Sequence, residues 1–148
     1  MTKVILLVED NPSDEKLTVL ALKKSEVKSE VFVVRDGAEA LDYLYATGAH
    51  AARDANEVPA LVLLDLNLPK IAGLEVLREI RSRERTRALP VVILTSSKQD
   101  EDIVAGYASG ANAYVRKPVA YAEFVAAAKS IGAFWLLLNE AASPGASR

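Results

Sequence analysis

Four apolar runs of this chain lead into residues that can do chemistry. Val4 to Val8 precedes Glu9-Asp10, Leu61 to Leu64 precedes Asp65, Val91 to Leu94 precedes Thr95, and Ala113 to Val115 lies just before Lys117. Taken singly each has a structural explanation: Asp10 as a helix cap, Asp65 as a strand-end acid, Lys117 as a solvated lysine. As a set, three acids, a hydroxyl and an amine at successive strand ends point to one site. Three carboxylates within a few ångströms repel, so one must stay partly protonated unless a cation joins them. Lys117 and a divalent ion would balance their formal charge. Mg²⁺ suits such a site, because it takes oxygen ligands, keeps waters and uses one or two carboxylates with a phosphate. Asp10 and Asp65 are expected as direct ligands, Glu9 as the holder of a metal-bound water, and Asn67 as a backbone-carbonyl ligand. Zinc is disfavoured by the absence of cysteine and the presence of a single, remote histidine. Asp65 could then serve as a nucleophile toward a phosphoryl group, with Lys117 as a point charge and the Thr95 hydroxyl as a donor to its oxygens.

These residues need a frame that converges them. The runs above, with Val31 to Val34, read as buried strands. Helical spacing lies between them at Ser13 to Lys24, Ala38 to Tyr45, Leu74 to Arg83, Ile103 to Ala108 and Tyr121 to Asn139. Strict alternation predicts a doubly wound α/β domain, a parallel sheet with helices on both faces, because each parallel return needs a right-handed crossover. Ligands of such sheets sit outside the carboxyl ends of the strands. Asn11-Pro12-Ser13 and Asp36-Gly37 supply helix starts, and Gly110 a helix end. The segment Ala46 to Pro59 is long for a connection of this kind and reads as a flap or a short extra helix. His50 within it reads as an ordinary loop residue without an orienting partner. The tail Ser143 to Arg148 is expected to be disordered.

The 148 residues suffice for one domain. A formal charge of -2 and the lack of a basic stripe argue against nucleic acid. Arg78, Arg81, Arg83, Arg85 and Arg87 alternate with acids and read as a solvated helix face. No cysteine means no disulfide or thiolate site, and the first apolar run is too short for a leader or a membrane span. A cytoplasmic location is expected.

Through VILLVEDNPSD, LVLLDLNLPKIAGLEVLREIR, VVILTSS and GANAYVRKP the chain resembles the receiver domains of two-component response regulators, over about residues 3 to 138. DYLY before the long loop, KPV, and EFV followed by a terminal FW are most similar to the single-domain regulators paired with phytochrome-type sensor kinases. The resemblance implies a flavodoxin-like receiver fold with strand order 2-1-3-4-5, and a phosphoacceptor at Asp65 that receives its phosphoryl group from a sensor histidine kinase, with a phytochrome as the candidate. It implies acidic metal-site residues at Glu9 and Asp10, a reporting hydroxyl at Thr95 and a lysine at Lys117. It further implies that Tyr114 changes rotamer on activation and that the bond from Lys117 to Pro118 is cis. Glu9 departs from the pair of aspartates found in many receivers. Residues 1-140 are expected to form the receiver and 141-148 a disordered tail without an effector domain. Output would then pass through a protein surface or a downstream phosphotransfer protein. Phe134-Trp135-Leu136-Leu137-Leu138 is apolar on more than one face, which predicts either a homodimer contact or a fold-back onto the domain. The alternative from another class is a Mg²⁺-dependent phosphohydrolase with Asp65 as nucleophile. Such enzymes carry a second Asp where this chain has Asn67.

Overall fold

The computed structural model describes residues 3–24, 28–140 and 142. Five strands, β1 (Lys3–Val8), β2 (Ser29–Val34), β3 (Leu61–Leu64), β4 (Val91–Thr95) and β5 (Ala113–Arg116), form one parallel sheet in the order β2-β1-β3-β4-β5. Helices α1 (Pro12–Lys23), α2 (Gly37–Tyr45), α3 (Gly73–Ser82), α4 (Asp100–Ala108) and α5 (Tyr121–Ala133) connect and cover them. The expected fold and strand order are those observed.

Period-two alternation divides the apolar runs between two cores. Leu6, Val8, Val62, Leu64, Val91 and Ile93 face Leu44, Val76, Leu77 and Ile80 of α2 and α3. Their neighbours Ile5, Leu7, Leu61, Leu63, Val92 and Leu94 face Leu22, Ile131 and Leu136 on the α1 and α5 side. β1, β3 and β4 are therefore buried on both faces, which is why they read as unbroken hydrophobic runs.

Capping fixes where the helices start. The Asn11 side chain accepts from the backbone N–H groups of Ser13 (2.9 Å) and Asp14 (3.1 Å), with Pro12 in the first turn. Asp36 accepts from Glu39 N–H at 2.7 Å. Gly110, at φ +106°, follows the end of α4 in the left-handed region that glycine tolerates.

Three local expectations are revised, and the long connection proves to hold a short extra helix, one of its two expected forms. The α form of the last helix ends at Ala133, and Phe134–Leu138 continue as a π-helical turn closed by Asn139 N–H on the Phe134 carbonyl at 2.9 Å. Leu136 is buried there, while Phe134, Leu137 and Leu138 are exposed. The long connection contains a short 3-10 turn, Gly48–His50. His50 is not partnerless: its Nε2 lies 3.2 Å from Glu39 Oε2, and its ring meets Phe32 and Tyr43 edge-on. Chain distance between residues 39 and 50 hid that pairing. Arg81 is not solvated either. Its guanidinium donates to the carbonyls of Gly110 (2.8 Å), Arg87 (3.1 Å) and Leu89 (2.8 Å) and to Asn112 Oδ1 (2.9 Å), whereas Arg78 and Arg83 pair with Glu75 and Glu79 at the surface.

Tyr121–Leu138 is long and apolar enough to cross a membrane by length and composition, but Phe124, Ala128, Ile131 and Leu136 of that segment are buried in the fold. The expected disordered tail Ser143 to Arg148 lies outside the described residues.

Candidate functional site

Sheet register brings the four strand ends to one rim. Val8 pairs with Leu64, and Leu64 with Ile93. The residues just beyond stay on the ladder: Glu9 N–H donates to Val34 O (3.0 Å), Asp65 N–H to Val8 O (3.1 Å) and Lys117 N–H to Thr95 O (2.7 Å). Their side chains are thus fixed by the backbone of neighbouring strands. Gly73 permits the close start of α3 beside them, since a Cβ there would stand 2.3 Å from the Asp65 carbonyl oxygen.

Asp65 is held from two sides. Its Oδ1 accepts from Thr95 Oγ1 at 2.9 Å and from Asn67 N–H at 3.1 Å, and its Oδ2 accepts from Lys117 Nζ at 2.8 Å. Lys117 Nζ also donates to Glu9 Oε1 at 2.7 Å and to Asp14 Oδ2 at 2.9 Å. Glu9 Oε2 accepts from Asn11 N–H at 3.1 Å. One carboxylate oxygen from each of Glu9, Asp10 and Asp65 lies within 4.8 Å of the others, with Asp10 exposed and the other two buried.

The electrostatics differ between the two buried acids. Burial pushes the Glu9 carboxyl up to about 7, against the pull of Lys117 and with the Asp65 charge adding to the rise. Burial acts on Asp65 in the same sense, but the bond and charge of Lys117, the Asn67 N–H and the Thr95 hydroxyl together hold it below the ordinary carboxylate range. Burial would weaken the Lys117 ammonium, yet bonds to Asp65, Glu9 and Asp14 outweigh it and raise its pKa. At neutral pH Asp65 is therefore an ionised carboxylate beside a buried cation, while Glu9 is the acid drawn toward its protonated form.

The site fits a hard divalent cation by its donor set: three carboxylates within reach of one another, one open to water, and no sulfur. Asn67 is brought in through its backbone N–H.

Tyr114 stands beside the site, half-buried, its hydroxyl donating to the Ser97 carbonyl at 3.0 Å. Ser97 also hydrogen-bonds Asp102 through its hydroxyl, tying the β4–α4 loop to the first turn of α4. The expected cis bond between Lys117 and Pro118 is corrected: no peptide among the described residues is cis. The trans isomer is the intrinsically favoured one for X-Pro by roughly 0.5–1 kcal/mol.

Sequence reasoning missed Asp14. The Asn11 cap places Asp14 in the first turn of α1, but its reach to Lys117, 103 residues away, leaves no mark in the sequence.

The response regulator receiver domain family matches residues 5–129. Response regulator Rcp1 of Synechocystis sp. is 39% identical over 134 residues, covering 90% of this chain and 89% of its own. The crystal structure of the phosphorylated cyanobacterial phytochrome response regulator RcpA superposes with a TM-score of 0.90 at 41% identity, over 97% of this chain and all (100%) of that one. The bacteriophytochrome response regulator RtBRR is 53% identical, with a TM-score of 0.76, over 98% of this chain and 86% of its own. The Mn²⁺-bound form of Rcp1 superposes with a TM-score of 0.88 at 37% identity, over 95% of this chain and 99% of that one. With its sheet order, its strand-end acids and these relatives, the chain belongs to the response regulator receiver domain family, the phosphorylation-activated signalling switches of two-component systems.

Proposed function

We propose that Asp65 is the phosphoacceptor, that its phosphoryl donor is a sensor histidine kinase of the phytochrome type, and that Mg²⁺ held by Glu9, Asp10, Asp65 and the Asn67 carbonyl assists the transfer. The observation that carries this reading is the Asp65 carboxylate itself, buried, ionised and gripped by Thr95 and Lys117. An Asp65 oxygen forms the new bond to phosphorus while the donor's bond to phosphorus breaks and its leaving group departs. Lys117 and Thr95 supply donors to the phosphoryl oxygens. A bound divalent cation neutralises charge on those oxygens. The Mn²⁺-bound form of Rcp1 and the acid cluster support a divalent ion here. The names of RcpA and RtBRR support a phytochrome partner.

On this reading the chain is a switch that assists its own phosphorylation and dephosphorylation rather than a turnover enzyme, since Asn67 cannot act as a general acid. Residues 1-140 act as the receiver, in the cytoplasm, with output through protein contacts or a further phosphotransfer step. Thr95 already donates to unphosphorylated Asp65, so phosphorylation gains only the difference between two acceptors. Inverting a population from 1:99 to 99:1 takes about 5.5 kcal/mol, while a hydrogen bond to a charged group gives about 1.5–3 kcal/mol. Thr95 and a rotamer change of Tyr114 therefore need Lys117, or a partner selective for the active state, to complete the switch.

The exposed Phe134, Leu137 and Leu138 at the end of α5 favour a second copy of the chain as one partner. Light scattering at micromolar protein is expected to give a dimer mass that falls to monomer in Leu137→Glu/Leu138→Glu. A monomer in the parent chain, with and without phosphodonor, excludes the homodimer.

The acceptor itself is tested with a small acyl phosphate and Mg²⁺, read by intact mass. One phosphoryl adduct is expected in the parent chain and none in Asp65→Asn.

A further inference from the structure

Lys117 has three N–H donors, and each is taken by a carboxylate: Glu9, Asp65 and Asp14. The three partners are not equivalent. The Glu9 and Asp65 side chains are 2% and 8% exposed, whereas that of Asp14 is 25% exposed. Glu9 is also anchored through its second oxygen by Asn11 N–H. If released from Lys117, Glu9 would be left as a buried group without its counter-charge, while Asp14 would turn into water.

The placement of Asp14 is built rather than accidental. Its backbone N–H is fixed by the Asn11 cap, and its carbonyl accepts from the buried Thr18 hydroxyl at 2.8 Å. An acid in a first helical turn has a bland role, complementing the helix dipole. Glu15, the next residue, does this while pairing with Arg35 at the surface. Asp14 instead reaches across to a lysine 103 residues away.

We propose that Asp14 is a positioning residue that competes with the phosphoryl group for Lys117, restraining the phosphorylated state. The inference rests on the reading of Asp65 as phosphoacceptor. A phosphoryl group on Asp65 presents three terminal oxygens beyond the place where Oδ2 now accepts one bond. Lys117 follows it by surrendering its most hydrated partner, and that partner is Asp14. Removing the Asp14 charge frees the donor beforehand, so the phosphorylated form, or a mimic of it, is bound more tightly.

The test is a titration of the full chain with beryllofluoride in saturating Mg²⁺, followed by ¹⁹F NMR. Asp14→Asn is expected to bind about tenfold tighter than the parent chain, in keeping with a charge-assisted hydrogen bond. Asp14→Glu, which keeps the carboxylate, is expected to return most of the parent affinity. Glu15→Gln removes the same charge from the same turn without touching Lys117, and is expected to leave the affinity unchanged.

A double-mutant cycle separates competition at Lys117 from a general charge effect. In a Lys117→Ala background Asp14→Asn is expected to add nothing. An equal gain in that background, or an equal gain from Glu15→Gln, overturns the competition. So does parent affinity in Asp14→Asn when the parent chain itself binds. No binding by the parent chain overturns the phosphoacceptor reading first, and the inference with it.

Discussion

Two cations, Lys117 buried and Arg81 half-buried, sit at opposite ends of the sheet, and they do opposite things with their charge. Arg81 sits at the amino-terminal end of β4, where its guanidinium donates to three backbone carbonyls and one side-chain amide. Lys117 sits at the carboxyl-terminal rim, where every donor meets a carboxylate. The partners of Arg81 are neutral dipoles, three of them fixed in the main chain, so its network serves stability. Those of Lys117 are ionic groups on three different segments, and on the proposal above one of them gives way to a phosphoryl oxygen. Planar Arg suits the first task and a compact point charge the second.

The contrast can be broken by substitution. The largest effect is expected from Gly73→Ala, whose new Cβ would collide with the Asp65 carbonyl. Urea denaturation should show a loss of about 3 kcal/mol or more, together with impaired adduct formation, because frame and site meet at that residue. Lys117→Met should cost about 3 kcal/mol by leaving buried acids without their cation, and adduct formation with acyl phosphate should fall steeply. Arg81→Met should cost about 2 kcal/mol through its lost carbonyl bonds, yet leave adduct formation per folded molecule unchanged. A site defect in Arg81→Met with a folded spectrum would erase the distinction between the two cations. The smallest effect is expected from Asn11→Ala, about 1 kcal/mol for a lost helix cap, measured by the same denaturation.

Much of this was legible in the chain. The strands showed as apolar runs because β1, β3 and β4 are buried on both faces, and Glu9, Asp10, Asp65, Thr95 and Lys117 were found because each lies just past a run. Residues whose roles arise from side-chain reach were not legible. Asp14 and Arg81 look like surface charges in the sequence, and only the tertiary fold shows that Asp14 turns to Lys117 and Arg81 to Gly110. His50 was misread for the same reason, its partners Phe32 and Glu39 lying on other elements. The end of α5 was overextended because helical periodicity does not distinguish an α turn from the π turn at Phe134–Leu138.

Intact mass is the most direct test of whether Asp65 receives the phosphoryl group. After incubation with Mg²⁺ and a small acyl phosphate, the parent chain should gain a single phosphoryl adduct, absent without the metal and absent in Asp65→Asn. An adduct that persists in Asp65→Asn, or no adduct in the parent chain at any donor concentration, would show that Asp65 is not the phosphoacceptor.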